Sequence, residues 1–464
     1  MSLWPQPLLD TIAARGAGPV FEQGDRTVSG TEMTALIRRV AAGLRAAGVG
    51  PGDGVVVHLG VAPETFAAIV AAYTVGARVA GVRADQLGHV LATSGGLLID
   101  SSRLAALLAA PDDGRPLAAA GRPDDLAQIV YTSGSTGAPK GCCRTYAAMT
   151  AAWDADPGRW SPATREMAGR LDRFLVFGSL SSLVMFKYAV LTLIAGGVLV
   201  AAEPPIYPEA VAKLRATAGV ITVGKLHQLV RAQRAEPADL GSLRALMVSG
   251  SPLEPARLTD ALEVLGPVLF NGYGQTEAGS IAMITPGELL AAPELRSSVG
   301  RPTGVETSIR DGELYVRTPA QASFYWDDPA ESAEVFVDGW VRTRDLASIG
   351  DDGYLRLLGR ARDVIIVQAE LFYAGPIERA LAADPAVAEA YVVGRPDEES
   401  GEAIHAFVVP APGRTPVVDA LRRRVAEALG PKAVPATVTF IDAVPVAPSG
   451  KPDKKALVGP GAAG

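Results

Sequence analysis

The sequence predicts an α/β protein with two domains, and three observations lead to this prediction. The chain has 464 residues, which is too many for a single hydrophobic core. Across residues 28–99, short β-branched runs alternate with segments of helical periodicity, which is typical of a parallel sheet covered by helices on both faces. Across residues 299–358 the pattern changes to short strands separated by turn signals such as Asp311-Gly312 and Asp338-Gly339, which predict a small β-barrel or sheet. We therefore expect a large N-terminal domain (residues 1–360) of parallel-rich α/β subdomains plus a small β-barrel-like region, and a smaller α+β C-terminal domain (residues 361–464).

Periodicity and helix-stop residues place the individual elements. A helix over residues 31–47 ends at Gly48, and a helix over residues 63–75 ends at Gly76, because glycine readily takes the conformation that closes a helix. The most apolar stretch, residues 180–202, is interrupted by Lys187 and a glycine pair, so it predicts a buried helix followed by a strand rather than a membrane span. The other predicted elements are strands at residues 55–59, 128–131, 197–202, 220–223 and 245–249, and helices at residues 376–383 and 417–429.

Composition and charge exclude several classes of protein. Hydrophobic residues make up 48% and charged residues 20%, as in an ordinary globular protein. The formal net charge of -7 is spread thinly and no block of Lys and Arg is present, so neither DNA nor RNA is an expected partner. The two cysteines, Cys142 and Cys143, are adjacent and unsuited to an unstrained disulfide, and residues 1–9 show no signal peptide. These features predict a cytoplasmic protein that does not engage a membrane, with both cysteines packed in the core.

The strongest local signal is the loop YTSGSTGAPKG at residues 131–141, which follows a predicted strand. Its three glycines let the backbone approach a phosphate chain closely, its hydroxyls donate hydrogen bonds, and Lys140 supplies a positive charge. The loop lacks the Gly-Lys-Ser/Thr ending of a Walker A motif, so its spacing excludes a P-loop NTPase. The candidate phosphate-binding residues are Thr132, Ser133, Gly134, Ser135, Thr136, Gly137 and Lys140.

This loop resembles the signature loop of the adenylate-forming superfamily, which contains acyl-CoA synthetases, peptide-synthetase adenylation domains and luciferases. Further blocks follow in the family's order, so the resemblance covers nearly the whole chain. It implies an enzyme that uses ATP and Mg²⁺ to convert a small carboxylic acid into an acyl-AMP with release of pyrophosphate. It also implies a mobile C-terminal domain that rotates before acyl transfer to a thiol, for which CoA is the first choice and a carrier protein the second. Two alternatives stay open: an amine or oxyanion acceptor, and a catalytically silent nucleotide-binding homologue.

The sequence NGYGQTE at residues 271–277 resembles the family's second ATP-binding block. Tyr273 offers a flat face for a purine, Thr276 a hydroxyl for a phosphate, and Glu277 a hard oxygen for Mg²⁺. Residues 249–252, upstream, resemble the strand and loop that line the adenine side of the pocket. The other nucleotide-binding candidates in these two segments are Asn271, Gly272, Gly274, Ser249, Gly250 and Ser251.

Two later blocks supply candidates for the ribose and the hinge. By resemblance, Asp345 binds both ribose hydroxyls, although Arg344 stands where the family usually has glycine, which makes the local backbone geometry uncertain. Arg360 would reach the ribose or the α-phosphate, and Arg362 occupies the hinge position.

The final block, at residues 448–451, resembles the family's C-terminal lysine block. Lys451 would bridge the attacking carboxylate and the α-phosphate, and so offset the repulsion between two anions. Lys454, which follows it, is expected to lie in a solvated basic patch. The resemblance thus assigns the catalytic roles to Lys451, Thr276, Glu277 and Arg360, with Glu277 also as the metal ligand.

The acid is expected to lie between residues 174–196 and Tyr273, with Ser182, Lys187 and His227 as pocket candidates. Residues 174–202 contain no acidic residue and no histidine, so a buried α-ammonium would lack a counter-charge and an α-amino acid is disfavoured. Lys187 could meet a second anionic group of the substrate or point to solvent, and we favour solvent. His227 could contact the ligand or be a partly buried structural histidine, and we favour the latter. Ala369 replaces a glycine of the family's pantetheine tunnel, which makes thioester formation less secure than adenylation.

Overall fold

A computed structural model of the protein describes residues 2–82, 84–132, 139–361, 363–368, 370–446 and 452–458. Strands and helices alternate through most of this part of the chain. The strands are β1 (Pro19–Gln23), β2 (Arg26–Ser29), β3 (Gly54–Val57), β4 (Arg78–Gly81), β5 (Leu97–Ile99), β6 (Leu126–Thr132), β7 (Lys140–Thr145), β8 (Arg173–Val176), β9 (Val198–Ala201), β10 (Ala218–Thr222), β11 (Ala245–Ser249), β12 (Leu269–Gln275), β13 (Gly279–Ile284), β14 (Arg301–Pro302), β15 (Glu306–Arg310), β16 (Glu313–Arg317), β17 (Phe324–Trp326), β18 (Phe336–Val337), β19 (Trp340–Ile349), β20 (Leu355–Arg360), β21 (Val364–Val367), β22 (Glu370–Tyr373), β23 (Val387–Asp397), β24 (Gly401–Pro410) and β25 (Thr437–Phe440).

The helices cover the sheets and connect their strands. The α-helices are α1 (Gln6–Ala14), α2 (Gly30–Ala46), α3 (Pro63–Thr74), α4 (Leu87–Ser94), α5 (Ser101–Ala109), α6 (Tyr146–Ala152), α7 (Pro162–Ala168), α8 (Leu183–Ile194), α9 (Val211–Leu214), α10 (Val223–Ala235), α11 (Pro255–Leu265), α12 (Pro286–Ala291), α13 (Pro329–Val335), α14 (Ala374–Ala382), α15 (Val418–Leu429) and α16 (Lys454–Val458). Shorter 3₁₀ turns lie at Ala84–Gln86, Pro157–Arg159, Pro293–Ser297 and Pro431–Ala433, and a π-helical segment at Ile206–Ala210.

Two sheets with parallel centres form the α/β part of the fold. In the described residues, one sheet has nine strands in the order β14-β13-β12-β11-β10-β8-β9-β1-β2, and the other has six in the order β17-β7-β6-β4-β3-β5. The strands β8 to β12 pair parallel in the first sheet, as do β3 to β6 in the second, while antiparallel strands form edges of both. The α/β prediction is therefore confirmed, and its predicted strands agree with β3, β6, β9, β10 and β11 to within one or two residues at most ends.

Two helices show how the sequence builds this layered core. Helix α2 begins at Ser29, whose hydroxyl accepts from the Glu32 amide while the Glu32 carboxylate accepts from the Ser29 amide, a reciprocal cap that satisfies two backbone donors. Every residue of α3 except Glu64 is buried, as expected for a helix enclosed between layers. The apolar stretch at residues 180–202 forms α8 followed by β9, as predicted. Within the described residues, no helix is long and apolar enough to cross a bilayer.

A third sheet, of antiparallel strands, occupies the region predicted as a barrel or sheet. Its strands pair in the order β15-β16-β19-β18, with β20 paired to β19. Two Asp-Gly pairs turn its hairpins: Asp311 and Gly312 have φ of 48° and 79°, and Asp338 and Gly339 have φ of 52° and 78°. Positive φ at both central residues is the geometry of the tight hairpin turn that Asp-Gly favours, so these turns are confirmed.

The C-terminal residues form a fourth sheet with its own core. The strands pair in the order β22-β21-β24-β23, with β25 beside β24, and helices α14 and α15 pack on them through Leu381, Leu421 and Val425. This is the expected α+β arrangement. The division of the chain at residues 360 and 361 remains a prediction.

Candidate functional site

A cavity of about 2790 Å³ opens where the parallel strands of the nine-stranded sheet end. Residues 249–251 follow β11 and residues 271–277 include the end of β12, so both candidate nucleotide segments reach the same edge, as the carboxyl ends of parallel strands do. The candidate residues on its wall are Lys140, Ser182, Lys187, His227, Ser249, Gly250, Ser251, Asn271, Gly272, Tyr273, Gly274, Thr276, Glu277, Asp345 and Arg360.

The carboxylate of Asp345 is held by three side chains. Tyr273 Oη and Gln275 Nε2 each donate to Oδ2 at 2.6 Å, and Arg360 Nε lies 3.2 Å from Oδ1. Asp345 is 5% exposed, so the carboxylate is fixed and largely removed from water. Burial, followed by the neighbouring Asp345 charge, raises the pKa of Tyr273, which therefore remains a hydroxyl donor. The arrangement presents a rigid anionic acceptor beside an aromatic ring, as a ribose with its purine requires.

The hairpin between β12 and β13 requires glycine at residue 274. A Cβ on Gly274 would lie 2.4 Å from the carbonyl oxygen of Gly279, and one on Gly272 would lie 2.9 Å from the sulfur of Met247. The contact at Gly274 is with backbone, so only glycine allows the two strands to approach there, whereas the Met247 side chain is flexible and can shift. The tight hairpin carries Thr276 and Glu277 at its tip, facing the cavity.

Glu277 is fixed by groups from two other elements. Tyr325 Oη donates to Glu277 Oε1 at 2.6 Å, and the Ala322 amide donates to the Glu277 carbonyl at 2.7 Å. Burial, and then the charge of Glu277, raise the pKa of Tyr325, so the phenol keeps its proton and donates. No cluster of three or more His, Cys, Asp or Glu suited to a metal occurs in the described ranges. Glu277 would supply a protein carboxylate to Mg²⁺, and such a ligand fits an ion held largely by substrate phosphates.

Lys140 lies in a charged network next to this carboxylate. Its Nζ is 3.1 Å from Glu331 and 3.7 Å from Asp328, and it sits 5.7 Å from the Tyr325 ring centroid. Glu331 also pairs with Arg344 at 2.6 Å. Although burial opposes the charge of Glu331, hydrogen bonds from Arg344 and Lys140 lower its pKa to about 2. Lys140 and Arg344 are therefore joined through one ionised carboxylate.

Arg344 shows how this chain accommodates its departure from the glycine expected by resemblance. Its φ is 58°, so the backbone keeps the left-handed conformation that glycine favours. Its guanidinium pairs with Glu331 at 2.6 Å and with Glu334 at 2.7 Å. The turn before Asp345 is thus retained, and the side chain binds across it to helix α13.

The acid-pocket candidates differ in their surroundings. Ser182 is exposed and precedes α8 without capping it through its side chain. Lys187 does not point to bulk solvent, so that preference was wrong: it lines the cavity, and its ammonium donates to Ser280 Oγ. The reason is that the turn of α8 carrying Lys187 faces β13 across the cavity. His227 also lines the cavity, and burial, then Arg257, lower its pKa to about 4, so its ring is neutral.

Comparisons with known proteins identify the family. Models of the AMP-binding enzyme and of the AMP-binding enzyme C-terminal domain match residues 9–95, 90–326 and 376–451. The chain belongs to this family, within the adenylate-forming ligase superfamily. A fatty acid–[acyl-carrier-protein] ligase from Streptomyces coeruleorubidus is 31% identical, over 92% of this chain and 90% of the relative. A feruloyl-CoA synthase from Amycolatopsis sp. is 32% identical, over 92% and 93%. The structure of an amide bond synthetase from Marinactinospora thermotolerans has a TM-score of 0.86 and 33% identity, covering 97% of this chain and 98% of that one.

Several candidate residues of this AMP-binding enzyme lie outside the described residues. They are Ser133, Gly134, Ser135, Thr136 and Gly137 of the phosphate loop, Arg362 at the predicted hinge, Ala369, and the predicted catalytic Lys451. Thr132 ends β6, although its side chain is not described.

Lys454, three residues after Lys451, corrects one expectation. It was predicted in a solvated patch, but its ammonium lies 2.9 Å from Asp363 and 2.7 Å from Glu378. Burial opposes its charge, yet the carboxylates of Glu378 and Asp363 raise the pKa of Lys454. The reason for the error is that Asp363 and Glu378 are distant in sequence, so their approach to α16 is visible only in the fold. Lys454 joins the start of α16 to the segment that contains the predicted hinge.

Sequence reasoning missed four site residues of the AMP-binding enzyme. Gln275, Tyr325, Glu331 and Arg144 contact or neighbour the predicted residues, but none of the four was itself predicted to lie in the site. Two of them had a local signal. Gln275 lies inside the recognised block at residues 271–277, and Asp328-Pro-Ala-Glu331 has the form of a helix start, where Asp328 does cap α13. Cys142 and Cys143 are buried free thiols whose pKa values are raised by burial, so their predicted core packing is confirmed.

Proposed function

We propose that the chain activates a small carboxylic acid with Mg-ATP and then transfers the acyl group to a thiol, with CoA as the preferred acceptor. The observation that carries the first step is the convergence on one cavity of the Asp345 acceptor and the Glu277–Tyr325–Lys140 group. The chain belongs to the AMP-binding enzyme family, and by resemblance these two groups would serve as the ribose acceptor and as the phosphate and metal site.

The first step is a displacement at the α-phosphorus of ATP. An oxygen of the acid's carboxylate forms a bond to this phosphorus, the bond to the oxygen that bridges to the β-phosphate breaks, and pyrophosphate leaves with the electron pair. Asp345, with Tyr273 and Gln275 fixed on it, would orient the ribose, and Lys140 would meet the phosphates. Bound Mg²⁺ would neutralise phosphate charge, with Glu277 as its protein ligand. By resemblance, Lys451 would bring its ammonium to the attacking carboxylate.

The second step transfers the acyl group. A thiolate attacks the acyl carbon, and AMP leaves with the electron pair of the former anhydride bond. Similarity to an acyl-carrier-protein ligase and a feruloyl-CoA synthase supports a thiol acceptor. Similarity to an amide bond synthetase over 97% of the chain supports an amine as a second candidate.

Acid-dependent exchange of labelled pyrophosphate into ATP, measured over a panel of carboxylic acids, tests the activation step. We expect exchange with at least one acid, and in Asp345→Asn we expect the KM for ATP to rise by about tenfold to a hundredfold, because a charged acceptor of two hydroxyls is lost. Asp351→Asn, at an exposed site outside the cavity, is the matched control and should behave as wild type. Lys451→Ala should lose most exchange while still binding ATP. Background exchange with every acid would refute the activation step and leave only a silent binding role.

Product analysis separates the acceptors. The active acid is incubated with ATP and either CoA or a panel of primary amines, and the products are identified by mass spectrometry. An acyl-CoA formed faster than any amide supports the thiol proposal. An enzyme-dependent amide without acyl-CoA would replace it by the amine candidate.

A further inference from the structure

Two cationic side chains, one from a helix and one from a strand, face the candidate acid pocket. Lys187 comes from α8 and its ammonium donates to Ser280 Oγ on β13. Arg144 comes from β7 and its Nη2 donates to the Thr276 carbonyl at 2.5 Å. All of these residues line the same cavity, and the Arg144 charge is close enough to act on the Lys187 ammonium.

Neither cation forms an ion pair within the part of the chain that the structure describes. Burial, followed by the neighbouring Arg144, lowers the pKa of Lys187 to about 8, and no carboxylate acts to raise it. Arg144 is 2% exposed, and its Nε has no hydrogen-bond partner among the described residues. Of the carboxylates, only Glu277 acts on Arg144, and it is already held by Tyr325.

Two neighbouring cations repel one another, and Arg144, which is almost fully buried, is also poorly solvated. Buried charges are normally paired, because an unpaired charge that is removed from water loses its solvation without gaining a partner. The cavity wall therefore carries a positive charge that a bound anion would stabilise, with Ser280 able to donate its hydroxyl proton to the same anion.

We propose that Lys187, Ser280 and the guanidinium of Arg144 form a subsite for a second carboxylate of the substrate, so that the enzyme activates dicarboxylic acids in preference to monoacids. This inference rests on the proposed function, because it assigns the substrate class of the same site. One carboxylate would be adenylated, and the other would remain ionised against Lys187. The subsite also disfavours α-amino acids, because an α-ammonium would meet like charge.

Matched acids test the subsite. Pyrophosphate exchange is measured with dicarboxylic acids of increasing length, aliphatic and aromatic, and with the monomethyl ester of each. The half-ester keeps the size of the diacid and one reactive carboxylate but removes the second charge. At the preferred length we expect kcat/KM for the diacid to exceed that for its half-ester by about tenfold or more.

Three variants make the test specific to this side chain. Lys187→Met, close in size and uncharged, should lower kcat/KM for the diacid by about tenfold or more, mainly through KM, and change the half-ester by less than about twofold. Lys187→Arg should retain the preference for the diacid. Lys213→Met, which removes an exposed lysine outside the cavity, should behave as wild type. Retained half-ester activity shows that Lys187→Met is folded.

The outcomes separate this inference from the function on which it rests. Half-esters that match diacids at every length, or a Lys187→Met variant that affects both equally, would overturn the subsite while leaving acid activation intact. A change confined to the KM for ATP would overturn it by placing Lys187 at the nucleotide. Exchange with no acid of either kind would overturn the proposed function and the subsite together.

Discussion

Two substitutions of Arg344 should show that glycine gives a more stable protein than alanine at this position, the reverse of the usual order. Arg344 has φ of 58°, a conformation that costs an ordinary L-residue about 1–2 kcal/mol and costs glycine almost nothing. Alanine at this position would keep the strain, whereas glycine would release it. The gain is partly offset by the greater freedom of glycine in the unfolded chain, about 0.5–1 kcal/mol. We therefore expect Arg344→Gly to be more stable than Arg344→Ala by about 1 kcal/mol.

Both variants should be less stable than the wild type, because both lose the pairs with Glu331 and Glu334. The Glu331 pair, with 15% of each side chain exposed, is worth about 1–3 kcal/mol. The Glu334 pair, with 63% of that carboxylate side chain exposed, is worth less than about 0.5 kcal/mol. The difference between the two variants is independent of these losses, since neither side chain can make the pairs.

Urea unfolding followed by intrinsic fluorescence measures the order, with Arg423 as the control position. Arg423 is exposed on helix α15, where glycine should be less stable than alanine by about 1 kcal/mol. The sign of the glycine–alanine difference should thus reverse between the two sites. If alanine is at least as stable as glycine at residue 344, the left-handed turn before Asp345 is not imposed by the fold and the reasoning is wrong.

Three further predictions concern the site. Tyr273→Phe keeps the ring but removes the donor 2.6 Å from Asp345, so the KM for ATP should rise by about threefold to tenfold; an unchanged KM would show that this hydrogen bond does not orient the ribose acceptor. Glu331 has its pKa lowered to about 2, so its contribution to stability is full above pH 4.5, the ordinary value, and is lost as the pH falls towards 2. Glu331→Gln should therefore remove up to about 3 kcal/mol of pH-dependent stability over that range, and an unaltered profile in acid unfolding would contradict it. For a diacid, kcat/KM should fall as the pH rises through about 8, because the Lys187 ammonium loses its proton there. The groups that face this ammonium are Arg144, Tyr188 and Ser280. Lys187→Arg should move that fall to higher pH, and a coincident profile would assign the titration to another group.

The predictable part of the fold is the part that local chemistry decides. The Asp311-Gly312 and Asp338-Gly339 turns form as predicted, because their tight hairpins require positive φ at two consecutive residues, which few residue pairs tolerate. The buried helix and strand at residues 180–202 form as α8 and β9, because the length of the apolar stretch and the glycine pair that divides it are local properties of the sequence.

The candidate site also has one part that the local sequence predicts and one part that it does not. Residues 271–277 could be recognised because a hairpin concentrates them in one short segment. The contact of Tyr273 with Asp345 joins residues 72 positions apart, and that of Lys187 with Ser280 joins residues 93 positions apart. No local pattern predicts a contact between residues so far apart in the sequence, which is why Lys187 and Lys454 were predicted to lie in solvent.

The sequence alone determined the family, the alternation of strands and helices and the candidate nucleotide-binding segments, because each depends on residues that are neighbours in the chain. Only the tertiary structure decided which charges meet: Lys140 with Glu331 and Arg344, and Lys187 with no carboxylate of the described residues. The physical reason is that burial and pairing fix the energy of a charge, and both are set by elements that the chain brings together from far apart.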